Sequence, residues 1–170
     1  MTKIAKFAAL AAAAFAAVPA MAAPVAATPP ATATAKIVRP LTLTSTGSLN
    51  FGTIVLNGVT ANRTVSLSSA NVLTCGGTTE LQCSGTTSVP TYNVRGTNNQ
   101  VVTIIKTASN LTNANDATTL SMTPSGAASV LLTNAGAPGI DFNIGGSIVI
   151  GTATTDGVYS GTVNVQVDYQ

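Results

Sequence analysis

Histidine is absent from this sequence, and so is tryptophan. Without histidine there is no Ser-His-Asp triad, no imidazole general base and no histidine metal site. Charged side chains are scarce, at 7% of 170 residues. They form neither a basic patch that would hold nucleic acid nor an acidic tail. The five carboxylates, Glu80, Asp116, Asp141, Asp156 and Asp168, lie in different segments. None pairs with another at a close sequence spacing that would suggest a glycosidase-like acid and base. Asn113 to Asp116 reads as a polar turn and not as an Asp-rich calcium loop. Gly76-Gly77 lacks the lysine and the strand-loop-helix setting of a phosphate-binding loop. The only cysteines, Cys75 and Cys83, are spaced too widely for a Cys-x-x-Cys redox motif and have no partner ligands for zinc. These absences point away from an enzyme and from any cofactor or metal, and toward a structural or adhesive role.

Long apolar runs are also missing, with one exception at the start. Lys3 and Lys6 precede an Ala-rich apolar run from Phe7 to Val18, Pro19 breaks it, and Ala20-Met21-Ala22 supplies small residues for cleavage. This is the pattern of a secretory signal peptide over residues 1–22. The run is shorter than the ~20 residues a membrane-spanning helix needs. The expected mature chain runs from Ala23 to Gln170, secreted through the periplasm to the cell surface or medium, with no membrane span. In it Lys36, Arg39, Arg63, Arg95 and Lys106 balance the five carboxylates. A neutral surface, polar through Thr, Ser, Asn and Gly, favours association. Asn62-Arg63-Thr64 and Asn110-Leu111-Thr112 match the glycosylation sequon. The signal is of bacterial type, so both read as chance matches.

Residues 23–40 divide into an Ala/Pro/Thr linker and a short alternating stretch. Ala33, Ala35 and Ile37 alternate with Thr32, Thr34 and Lys36 between Pro30 and Pro40. From Leu41 to Gln170 period-two alternation recurs, the mark of half-buried strands. It appears at Leu41/Leu43, Leu49/Phe51, Val65/Leu67, Tyr92/Val94, Leu120/Met122, Ile140/Phe142/Ile144 and Val163/Val165/Val167/Tyr169. Gly52 suggests a bulge or bend before Ile54 and Leu56. Val101 to Ile105 suits a strand covered on both faces, and Gly145-Gly146 suits a hairpin turn. Ala127 to Leu132 fits either a short helix or a strand. No segment of the mature chain sustains a 3.6-residue period. Some eight strands with short turns predict a single all-β, immunoglobulin-like β-sandwich over residues 41–170. In a secreted chain Cys75 and Cys83 are expected to form a structural disulfide across an exposed hairpin tip.

The two ends resemble a known family. Gly157-Val158-Tyr159-Ser160-Gly161-Thr162-Val163, with alternation to Tyr169-Gln170, resembles the closing strand of chaperone–usher pilus subunits. Ala31 to Val38, followed by Pro40 and Leu41-Thr42-Leu43, resembles their N-terminal extension. With Leu49-Asn50-Phe51-Gly52, the ends are also similar to a family of small secreted alphaproteobacterial β proteins of unassigned function. The pilus resemblance implies a sandwich lacking one strand, filled first by a periplasmic chaperone and then, at an outer-membrane usher, by the extension of the next subunit. It implies Ala33, Ala35 and Ile37 as donor side chains, and Val163, Val165, Val167 and Tyr169 as one wall of an acceptor groove. Partners would be copies or related subunits. Ala33 and Ala35 are smaller than the usual donor anchors. The competing expectation is a self-contained secreted sandwich with a binding or adhesive role, its first strand paired within its own fold.

Overall fold

The computed structural model describes residues 21–77 and 79–170, and every regular element among them is a β-strand. The chain divides into two units between Lys36 and Ile37. The predicted signal peptide falls almost wholly outside the described residues. In the first unit, residues 21–36 are exposed and contain no strand.

The second unit is a β-sandwich with entirely antiparallel pairing. In its narrower layer, β1 (Thr42–Thr46) pairs with β6 (Thr91–Arg95) and β2 (Thr53–Leu56) pairs with β5 (Leu81–Ser84). A bridge between Asn50 and Ser88 joins the two ladders into one long ribbon. β11 (Ile140–Asn143) adds to the far side of β6.

The broader layer is built on β7 (Val101–Thr107) and β8 (Ser109–Asn113), separated by Ala108 alone. On one flank lie β10 (Ser129–Leu131) and β9 (Thr119–Ser125). On the other lie β14 (Asn164–Tyr169) and β13 (Tyr159–Ser160). β12 (Gly145–Ile150), β3 (Arg63–Leu67) and β4 (Leu73–Cys75) extend the layer beyond β9.

Alternation sets the burial. On β9, Leu120, Met122 and Pro124 are buried while Thr119, Ser121, Thr123 and Ser125 face solvent. Val65, Leu67, Leu120, Met122, Ile148 and Ile150 form one apolar cluster; Tyr92, Val94, Val102, Ile104, Phe142 and Ile144 form a second. Each such side chain contributes roughly 1.5–3 kcal/mol on burial. The rings of Tyr92 and Phe142 stack with centroids 5.6 Å apart. Gly52 sits at φ +77°, just before β2, and a side chain there would collide with the Ser84 carbonyl.

Four expectations need correction. Gly145-Gly146 makes no hairpin. β11 and β12 are separated only by Ile144 and pair in different layers, so this strand crosses the sandwich. The glycines serve close approach: a Cβ on Gly145 would strike the Leu67 carbonyl and the Ser68 backbone. Cys75 and Cys83 do not bracket a hairpin, because β4 pairs with β3 and β5 with β2. The run Val101 to Ile105 is covered on one face only, with Val102 and Ile104 buried but Val101 and Ile105 36% and 43% exposed. Residues 31–40 form no strand despite their alternation; a strand without a partner edge leaves its N–H and C=O groups unpaired. The open choice at Ala127 to Leu132 resolves to strand, as β10.

Candidate functional site: an open seam between the layers

The two long sides of the sandwich differ. One side is closed covalently and by topology. The β11–β12 strand passes from layer to layer there, and the Cys75–Cys83 disulfide links β4 to β5 with Cα atoms 5.9 Å apart. An ion pair reinforces this side: Arg63 Nε donates to Glu80 Oε2 at 2.7 Å, and Thr60 Oγ1 donates to Glu80 Oε1 at 2.6 Å. The Arg63 hydrogen bond, helped by that of Thr60, lowers the Glu80 pKa to about 2.

The other side is open. Among the described residues, β1 and β2 pair only with β6 and β5, and β13 and β14 only with β8 and β7. Two unpaired backbone edges therefore border a seam. Leu41, Leu43, Ile54 and Leu56 turn inward from the narrower layer, and Tyr159, Val163, Val165, Val167 and Tyr169 from the broader one. All are only partly buried, whereas Met122 and Val94 on central strands are 0% exposed. The core is thus complete in the middle and uncovered along this side.

Toward Tyr159 the seam widens into a cleft of about 800 Å³. Its walls are residues 49–56 and 154–161, and the core side chains Leu111, Leu120, Ile148 and Ile150 also line it. Asp156 is the one charged residue among them. At the opposite end the seam is tied shut. Tyr169 Oη donates to the Arg39 carbonyl and accepts from Thr97 N–H, both at 2.7 Å, while Arg39 N–H donates to Thr97 Oγ1 at 2.6 Å. Gly96 makes room for this tie, since any side chain there would meet the Tyr169 hydroxyl and Leu41.

A hydroxyl network fixes the loop leading into β13. Asn113, 2% exposed, donates through Nδ2 to the Asp156 carbonyl at 3.0 Å and to Thr155 Oγ1 at 3.2 Å. Asp116 accepts from Thr155 Oγ1 at 2.6 Å and from Thr118 Oγ1 at 2.7 Å. These bonds, that from Thr155 foremost, hold its carboxyl below the usual range. Asn113 to Asp116 is therefore the polar turn expected, with Asn113 and Asp116 engaged by Thr118, Thr155 and the Asp156 carbonyl.

Val163, Val165, Val167 and Tyr169 share one face along the seam. Ala33 and Ala35 lie in the first unit and Ile37 opens the second; all three are exposed, Ile37 at 91%. The disulfide between Cys75 and Cys83 is formed. Sequence reasoning missed the opposite wall, Leu41, Leu43, Ile54 and Leu56. Their alternation was visible, but nothing local distinguishes an edge strand from a central one. Chemically the seam offers unpaired backbone donors and acceptors beside apolar pockets at alternate positions, which is what an added β-strand uses. Among the described residues, no group of three or more His, Cys, Asp or Glu side chains could hold a metal ion. No helix among them is long and apolar enough to cross a membrane.

Residues 41–169 match the family described as Domain of unknown function (DUF4402). The chain belongs to this family. No match was found among curated proteins or among solved structures. The DUF4402 match begins at Leu41 and ends at Tyr169, so it takes in both walls of the seam and leaves Ala31 to Val38 outside.

Proposed function

We propose that this DUF4402 protein is a secreted structural subunit of a bacterial surface filament, whose open seam receives an extended β-strand from another polypeptide. The observation that carries the reading is the pairing of two free strand edges with a row of half-buried apolar side chains between them. Such an edge is a liability in an isolated domain. A strand laid along β14 would satisfy the outer N–H and C=O groups of residues 165–167 and cover Val163, Val165 and Val167, short of the end tied by Tyr169. The arm Ala31 to Val38 would in turn serve as a donor to a related subunit, with Ile37 as its largest anchor. A periplasmic chaperone holding the seam before assembly and an outer-membrane usher belong to the same reading.

The test is a mature chain lacking residues 23–38, with Arg39 kept because it is bonded to Thr97 and Tyr169. Its thermal unfolding is followed with and without seven-residue peptides that alternate apolar and polar side chains. The expected result is a raised melting temperature and slowed amide exchange in residues 163–169 when peptide is added. A stable monomer that such peptides leave unchanged would establish instead the self-contained sandwich with a binding role.

A further inference from the structure

We infer that the strand seated in this seam comes from a different polypeptide, one carrying large apolar side chains at alternate positions, and not from the arm of a second copy of this chain. The inference rests on the reading of the seam as a strand acceptor and names its partner. Its ground is a mismatch of size. The cleft near Tyr159 measures about 800 Å³ and reaches the core at Leu120, Ile148 and Ile150. The arm between Pro30 and Pro40 has Ala31, Ala33, Ala35 and Ile37 on its apolar face. All of these but Ile37 end in a single methyl group.

Sliding the arm does not remove the mismatch. Side chains alternate with period two, so a shift of two residues moves the same anchors along the seam. A shift of one turns Thr32, Thr34, Lys36 and Val38 inward instead, of which Val38 alone is a large apolar side chain. Extending the arm fails as well, because Pro29 and Pro30 have no backbone N–H to add to a ladder. In every register, at most one large apolar side chain reaches the part of the cleft lined by Leu111, Leu120, Ile148 and Ile150. A strand with valine, leucine or isoleucine at successive inward positions fills it. This chain is then a junction in a mixed assembly. It accepts a bulky strand from one kind of subunit and offers a slender one to a shallower groove on another.

Each CH₂ moved from water into an apolar site tightens binding by about fourfold. Replacing Ala33 and Ala35 by valine in the donor adds two carbons at each position, for a gain on the order of a hundredfold. The secreted chain would be titrated, by fluorescence anisotropy, into two labelled peptides of residues 31–38, one of native sequence and one with Ala33→Val and Ala35→Val. The expected result is binding of the substituted peptide on the order of a hundredfold tighter, with amide protection in residues 159–165 beside the cleft. A native peptide that binds as tightly as the substituted one, or tighter, overturns the inference and leaves the strand-acceptor reading standing. Failure of both peptides to bind overturns the reading itself. As a second measurement, the full chain carrying both substitutions should form long-lived homopolymers where the parent does not. Equally long-lived polymers of the parent would also overturn the inference.

Discussion

Removing the crosslink between Cys75 and Cys83 should weaken the whole sandwich and not merely loosen one loop. Cys75 ends β4 in the broader layer and Cys83 lies on β5 in the narrower one, with a sequence separation of 8. Closing so short a loop stabilises by about 2.5 kcal/mol in the chain-entropy account. The clamp also holds Glu80 near Arg63 and Thr60, but that pair is partly exposed and adds less. The Cys75→Ala/Cys83→Ala chain is therefore expected to lose about 2–3 kcal/mol of unfolding free energy. With a urea slope of about 2 kcal/mol per molar, its midpoint falls by about 1–1.5 M. Far-ultraviolet circular dichroism and tyrosine fluorescence would follow the transition, since tryptophan is absent. The two probes should shift together, because the disulfide joins layers that unfold as one. A midpoint within about 0.2 M of the parent, or a shift seen by one probe alone, would refute the inter-layer reasoning.

Other outcomes follow from the same structure. Ile37→Asp should abolish strand donation, because it would bury an unpaired carboxylate in an apolar groove at several kcal/mol; since Ile37 is 91% exposed, the melting temperature of the free chain should not move, and co-purification with related subunits is the readout. Gly145→Ala should destabilise by about 2 kcal/mol or more through overpacking against the Leu67 and Ser68 backbone. At Gly77, where φ is +64° and no atom lies within 4 Å, alanine should cost only about 1–2 kcal/mol; chemical denaturation separates the two. With no histidine, stability should be flat from about pH 5 to 8. Glu80 and Asp116 have lowered pKa values, so their contribution is full above the ordinary carboxylate range and is lost as pH falls through it, for Glu80 from 4.5 toward about 2. Thermal unfolding across this range would show the fall, and Glu80→Gln should flatten its most acidic part. N-terminal sequencing of secreted protein should begin at Ala23.

The all-β class and the face that most strands bury follow from local alternation and are legible in the sequence alone. Period-two alternation states which side chains share a face, so Val163, Val165, Val167 and Tyr169 could be grouped without coordinates. Gly52 could be marked because a positive φ is a local backbone event that glycine adopts without steric cost. What a strand pairs with is not local. The alternation at Leu41/Leu43 and that at Leu120/Met122 look alike in sequence, yet Leu41 and Leu43 border an open edge while Met122 lies between β8 and β12. The Gly-Gly pair could equally turn a hairpin or admit a close backbone crossing. Only the approach of Leu67 and Ser68 from β3 and its following turn decided for the crossing. The seam is the extreme case. It exists because β14 pairs with β7 and β1 with β6, leaving the outer edges of β14 and β1 unpaired, and such long-range hydrogen bonding is decided only when the whole chain packs.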